Sequence, residues 1–139
     1  MDESVFFLFV AILVVGVLLF VSITFTKGSP KRLNVEKYRV KWLTIEKQLK
    51  KDDASSCHMS VLNADKLLDH ALKERGAKGD TMGERMKASR EVFSDNNAIW
   101  SAHKLRNQIA HEPDVNVNYD QARRALSAFK KALKDLGAI

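Results

Sequence analysis

Apolar residues fill 18 of the 21 positions from Val5 to Phe25, and none of the 21 is charged. At ~1.5 Å per residue the run makes a helix of about 31 Å, matching a hydrocarbon core of ~30 Å, so the pattern predicts one transmembrane helix. A cleaved signal peptide would carry a positive leading region, a shorter apolar core and small residues at its end. Asp2 and Glu3 precede this run instead, and Ser22-Ile23-Thr24-Phe25-Thr26 has no Ala-x-Ala pattern.

Beyond the break at Gly28-Ser29-Pro30 the period becomes helical and amphipathic. Asn34 is placed to cap a helix whose apolar stripe is Val35, Tyr38, Trp42, Ile45 and Leu49. Its other face is basic and suits either anionic headgroups or solvent, the apolar stripe packing on the domain in the second case. Asp52 and Asp53 precede a helix running to about Arg75, with Gly76 as its stop. Thr81-Met82-Gly83-Glu84 forms a Thr-x-x-Glu capping box that predicts a third helix through Phe93. The turn Ser94-Asp95-Asn96-Asn97 introduces a fourth, Ala98 to Glu112, stopped by Pro113. Asn118 and Gln121 start a fifth, with Ala122, Leu126, Phe129, Leu133 and Leu136 on one face and Gly137 at its end. No useful run alternates with period two, so the predicted fold class is all-α: the anchor, the basic amphipathic helix and a four-helix bundle of roughly antiparallel neighbours. The expected divisions are an anchor over 1–26, a juxtamembrane helix over 27–51 and a bundle over 52–139.

The net charge of +6 changes this picture only through its location. Residues 27–51 carry nine basic groups against Glu36 and Glu46, whereas residues 52–139 balance 14 basic against 13 acidic groups. A broad electrostatic funnel for long nucleic acid is therefore not expected on the bundle. Lys27, Lys31 and Arg32 follow the span and nothing basic precedes it, so the positive-inside rule puts the N-terminus outside and the rest in the cytoplasm, at the plasma (inner) membrane. A lone cysteine, Cys57, excludes an internal disulfide and agrees with a reducing compartment. No Gly-rich phosphate loop and no zinc spacing occurs, so neither a cofactor nor a metal is expected.

Candidate chemistry concentrates near the end of the fourth helix, in Arg106-Asn107-Gln108-Ile109-Ala110-His111. At 100° per residue Asn107 and His111 share a face while Arg106 lies about 140° from His111, so a single helix converges them poorly. Two copies facing each other would bring arginine and histidine from both subunits around one phosphate. Helix C-termini also attract His and Arg through the dipole alone.

His103-Lys104-Leu105-Arg106-Asn107-Gln108-Ile109-Ala110-His111-Glu112 resembles the Arg-Asn-x-x-x-His signature of the HEPN superfamily, helical bundles that include many metal-independent ribonucleases. Ala64-Asp65-Lys66-Leu67-Leu68-Asp69-His70-Ala71-Leu72-Lys73 resembles the first helix of such domains, and the likeness covers roughly residues 55 to 137. The resemblance implies a shared site at a homodimer interface. In that site His111 is general base or acid at a ribose 2′-hydroxyl and the leaving oxygen, Arg106 holds the scissile phosphate, and Asn107 orients His111 or the phosphate. Toxins of this superfamily often carry Tyr two positions after the histidine; Pro113 stands there and Tyr119 is not equivalent, so modification-controlled toxicity is not transferred. The expected function is thus a membrane-anchored ribonuclease or RNA-binding module, its partners being the bilayer around Val5 to Phe25, RNA, and a second copy of the chain. The alternative is a non-catalytic tethered adaptor or a nucleotide-sensing module.

Overall fold

A computed structural model describes residues 2–25 and 30–139. Lys27 and the Gly28-Ser29 part of the break lie outside the described residues, as does Thr26, where the anchor was expected to end. The described residues form six α-helices and no strand. The chain divides into two compact units, Met1–Pro30 and Lys31–Ile139.

The first unit is α1, Glu3–Phe25, long and apolar enough to cross a membrane. Every described side chain from Asp2 to Thr24 is exposed, including Phe6, Leu13 and Phe20, so its apolar surface is unburied. Helical hydrogen bonding satisfies the backbone internally, the condition for a spanning segment. The Thr24 hydroxyl likewise turns back onto the Phe20 and Val21 carbonyls at 3.0 and 2.9 Å.

The second unit contains α2 (Val35–Gln48), α3 (Ala54–Glu74), α4 (Met82–Ala88), α5 (Asn96–His111) and α6 (Tyr119–Asp135). Each start is written locally. Asn34, Asp53, Thr81, Asp95 and Asn118 all accept a hydrogen bond from the backbone N–H three residues on, and Thr81–Glu84 and Asn118–Gln121 are reciprocal capping boxes. The ends of α3 and α6 close alike: Gly76 and Ala77 donate to the Lys73 and Leu72 carbonyls, and Gly137 and Ala138 to those of Lys134 and Leu133. Arg75 then donates from Nη1 to the Leu136 carbonyl at 2.7 Å, joining these two ends.

α3 is the central element, packed against α2, α4, α5 and α6. Its Val61, Leu68 and Leu72 meet Phe129 and Leu133 of α6 in a fully buried core. α2 joins this core through Tyr38, Trp42 and Ile45, so its apolar stripe is spent on the domain and its basic face is left exposed. Val35, expected in that stripe, is exposed.

Two predicted boundaries need correction. The third helix stops at Ala88 rather than running through Phe93. One turn beyond Met86 the core face would require apolar side chains at 89 and 90, where Ser89 and Arg90 stand; the chain instead turns over 89–92 and delivers Phe93 to the core separately. The fourth helix begins at Asn96 rather than Ala98, because Asp95 accepts from the Ala98 N–H at 3.0 Å and acts as its cap.

Candidate functional site

Asp65 stands where the buried stripe of α3 would otherwise be apolar, one turn after Val61 and one before Leu68, and it is 3% exposed. A carboxylate there must be paired, since an isolated buried charge is prohibitive. Its partners come from α5, whose inward positions Ile99, Ala102, His103 and Arg106 recur at helical spacing. His103 Nδ1 lies 2.8 Å from Oδ1 of Asp65, and Arg106 Nε lies 3.3 Å from Oδ2. Arg106 Nη1 donates to Asn107 Oδ1 at 3.0 Å, and Asn107 Nδ2 is 3.4 Å from His103 Nε2. Asp65, His103, Asn107 and Arg106 therefore close a ring of polar contacts between α3 and α5. Trp100 sets its ring edge-on to the imidazole of His103, centroids 6.0 Å apart.

The ring faces an open cleft of about 960 Å³ between α3, α4 and α5. The cleft is lined also by Lys66, His70 and Lys73 of α3 and Arg85 of α4. Asp69 is engaged by Arg85 at 2.8 Å and by Lys73 at 2.9 Å. Burial pushes the Asp69 carboxyl up, but these two cations outweigh it and hold it below the ordinary aspartate range. With Asp65 and Asp69 both engaged, Lys66 is left without an ion-pair partner among the described residues, and the lining is net cationic. His70 registers this field: burial, reinforced by Lys41, Lys66 and Lys73, pushes its imidazole below the usual value and favours the neutral form.

Of the expected site residues, Arg106 and Asn107 are brought together at the mouth of the cleft. The Arg106 side chain is 36% exposed, and its Nη2 has no hydrogen-bond partner among the described residues. His111 is not with them. It is exposed at the C-terminal end of α5 and does not line the cleft, although Ala110 does. Asp65 and His103 are not among the residues that the sequence places in the site. A carboxylate in an apolar stripe was the available signal for Asp65; its pairing with a residue 38 positions away carried none.

The cleft offers fixed donors for an anionic oxygen, an imidazole positioned by a carboxylate, and no group of three His, Cys, Asp or Glu side chains suited to a metal among the described residues. No protein-family model, no curated protein and no solved structure matches the chain. The likeness to the HEPN pattern accordingly rests on residues 64 to 73 and 103 to 112 themselves.

Proposed function

We propose that the protein is a single-pass membrane protein, N-terminus outside, whose cytoplasmic bundle binds RNA and cleaves it without a metal at the plasma (inner) membrane. One observation supports this above the others: Arg106 and Asn107, the first two residues of the HEPN-like signature, sit side by side at a net cationic cleft with a guanidinium nitrogen to spare. The spare nitrogen of a guanidinium already fixed at Nε and Nη1 can donate to a phosphate oxygen, and fixed donors are most effective where negative charge develops. A phosphodiester fits this lining, and the ribose 2′-hydroxyl supplies an internal nucleophile that restricts the chemistry to RNA. Because His111 stands outside the cleft of its own chain, its part in the reaction calls for a homodimer in which a second copy presents it.

The full chain in detergent micelles is expected to cut single-stranded RNA in the presence of EDTA, leaving 2′,3′-cyclic phosphate ends, and Arg106→Ala and His111→Ala should each lower cutting by about 10²-fold or more. Binding without cutting reduces the function to RNA recognition. Neither binding nor cutting leaves a tethered helical adaptor. For the topology, a tag ahead of Asp2 should be accessible from outside the cell while the bundle is protected; the opposite protection pattern reverses the orientation.

A further inference from the structure

Asp65 is an acceptor at both oxygens, so the His103 nitrogen facing it at 2.8 Å is assigned the proton and donates. In that tautomer Nε2 is the nitrogen that carries the free lone pair. The imidazole is 12% exposed and lines the cleft, so Nε2 is held inside the protein yet within reach of a ligand there. Its one hydrogen-bond partner among the described residues is Asn107 Nδ2 at 3.4 Å, a long contact that a hydroxyl can displace. Arg106, which would hold the phosphate, is tied to the other oxygen of the same carboxylate, so one buried group fixes both functional side chains. His111 has none of this: it lies eight residues, about 12 Å, further along α5, and no partner among the described residues sets its tautomer.

On the RNA-cleaving reading above, we infer that His103 is the proton acceptor of the reaction and that Asp65 is its positioning residue. Nε2 of His103 takes the proton of the 2′-hydroxyl, the 2′-oxygen bonds to phosphorus, and the bond from phosphorus to the 5′-oxygen breaks. The departing oxygen takes a proton from His111 of a second copy. His103 then releases its proton to water and His111 regains one. Products are a 2′,3′-cyclic phosphate and a 5′-hydroxyl, with no net proton consumed. Asp65 orients the ring and stabilises the transient imidazolium, as the carboxylate of a Ser-His-Asp triad does.

The test uses the full chain in micelles with two substrates: a short single-stranded RNA, and uridine 3′-(p-nitrophenyl) phosphate, whose leaving group departs without protonation. His103→Gln should lower cleavage of both by about 10²-fold or more, whereas His111→Ala should lower only that of the RNA. Added imidazole should restore His103→Gly at least about tenfold, which a merely unfolded variant would not permit. Asp65→Asn should lower kcat at least about tenfold with KM little changed, because the asparagine favours the wrong tautomer. If wild type cleaves and His103→Gln cuts the aryl ester within about threefold of it, or if imidazole rescues nothing, the assignment of His103 is overturned while the nuclease reading stands. If wild type cleaves neither substrate, the nuclease reading itself falls.

Discussion

Arg85 Nε and Nη2 both lie 2.8 Å from the same carboxylate oxygen of Asp69, while Arg85 Nη1 holds the Gly79 carbonyl at 2.8 Å. The Arg85 side chain is 8% exposed, so the charge is matched inside the protein and secures the seven-residue α4 to α3. Removing it strands a partly buried carboxylate with Lys73 alone. Arg85→Met should cost about 2 kcal/mol, below the usual cost of breaking a fully buried pair because Lys73 remains. The pH dependence follows in sign. Asp69 is depressed in the folded state, so its contribution is fully present above the unfolded aspartate value of ~3.9 and is lost as pH falls through the folded value. In Arg85→Met the folded value moves up toward the unfolded one, so this loss should be smaller and complete at higher pH, which urea titrations between pH 2 and 7 will register; an unchanged acid limb counts against the pairing.

Gly79 has φ 139°, and a Cβ there would meet Glu84 Cβ at 2.6 Å and the Arg85 nitrogen at 2.8 Å. Backbone cannot yield as a flexible side chain would. Gly79→Ala should therefore destabilise the domain by about 2 kcal/mol and loosen the Arg85–Gly79 contact that borders the cleft. The denaturant midpoint will show the first effect, and a rise in KM for RNA the second. Retention of wild-type stability would mean that the approach of this loop to α4 is not as close as described.

What was legible in the sequence, and what was not, divides along sequence distance. Asn34, Asp53, Thr81 and Asn118 bond the backbone three residues on, so their helices announce themselves locally. The all-helical class follows from periodicity, and the apolar span from the length of an uncharged run. Phe93 was misplaced because its burial comes from a turn that no local pattern encodes. Arg106 and Asn107 were readable as a motif, yet the groups that hold them are not: Asp65 is paired with His103 and Arg106 across 38 and 41 positions, and only the packing of α5 on α3 brings them together. His111, the same distance from Asn107 as His103 is, lies on the other side of it along the helix and past the edge of the cleft. Spacing alone could not choose between them.

Trp42 and Lys130 separate the contributions that hold α2 in place. Trp42 is 3% exposed in the core, whereas the 2.7 Å pair between Glu46 and Lys130 has both side chains more than a third exposed. Burial raises the Glu46 carboxyl, and Lys130, aided by Trp42 and Lys134, more than offsets it, but at this exposure solvent screens most of the gain. Trp42→Ala should cost about 3 to 5 kcal/mol and Lys130→Ala less than about 0.5 kcal/mol. Thermal unfolding of the full chain in detergent will rank the two; comparable losses would mean that charge rather than apolar burial fastens this helix.

Arg106→Lys separates charge from geometry at the proposed phosphate site. The guanidinium faces Asp65 through Nε and Asn107 through Nη1 and still has Nη2 to offer. An ammonium has a single nitrogen and cannot span the same three directions. Arg106→Lys should thus lower cleavage about tenfold or more, and Arg106→Ala by about 10² to 10³. The salt dependence of RNA affinity gives the complementary measurement. Its log–log slope should fall by about one in Arg106→Ala, since one phosphate contact is lost, and stay near the wild-type value in Arg106→Lys, where the charge remains. Identical slopes in all three proteins would mean that this arginine meets no phosphate, and wild-type cleavage by Arg106→Lys would mean that its planar geometry is not used.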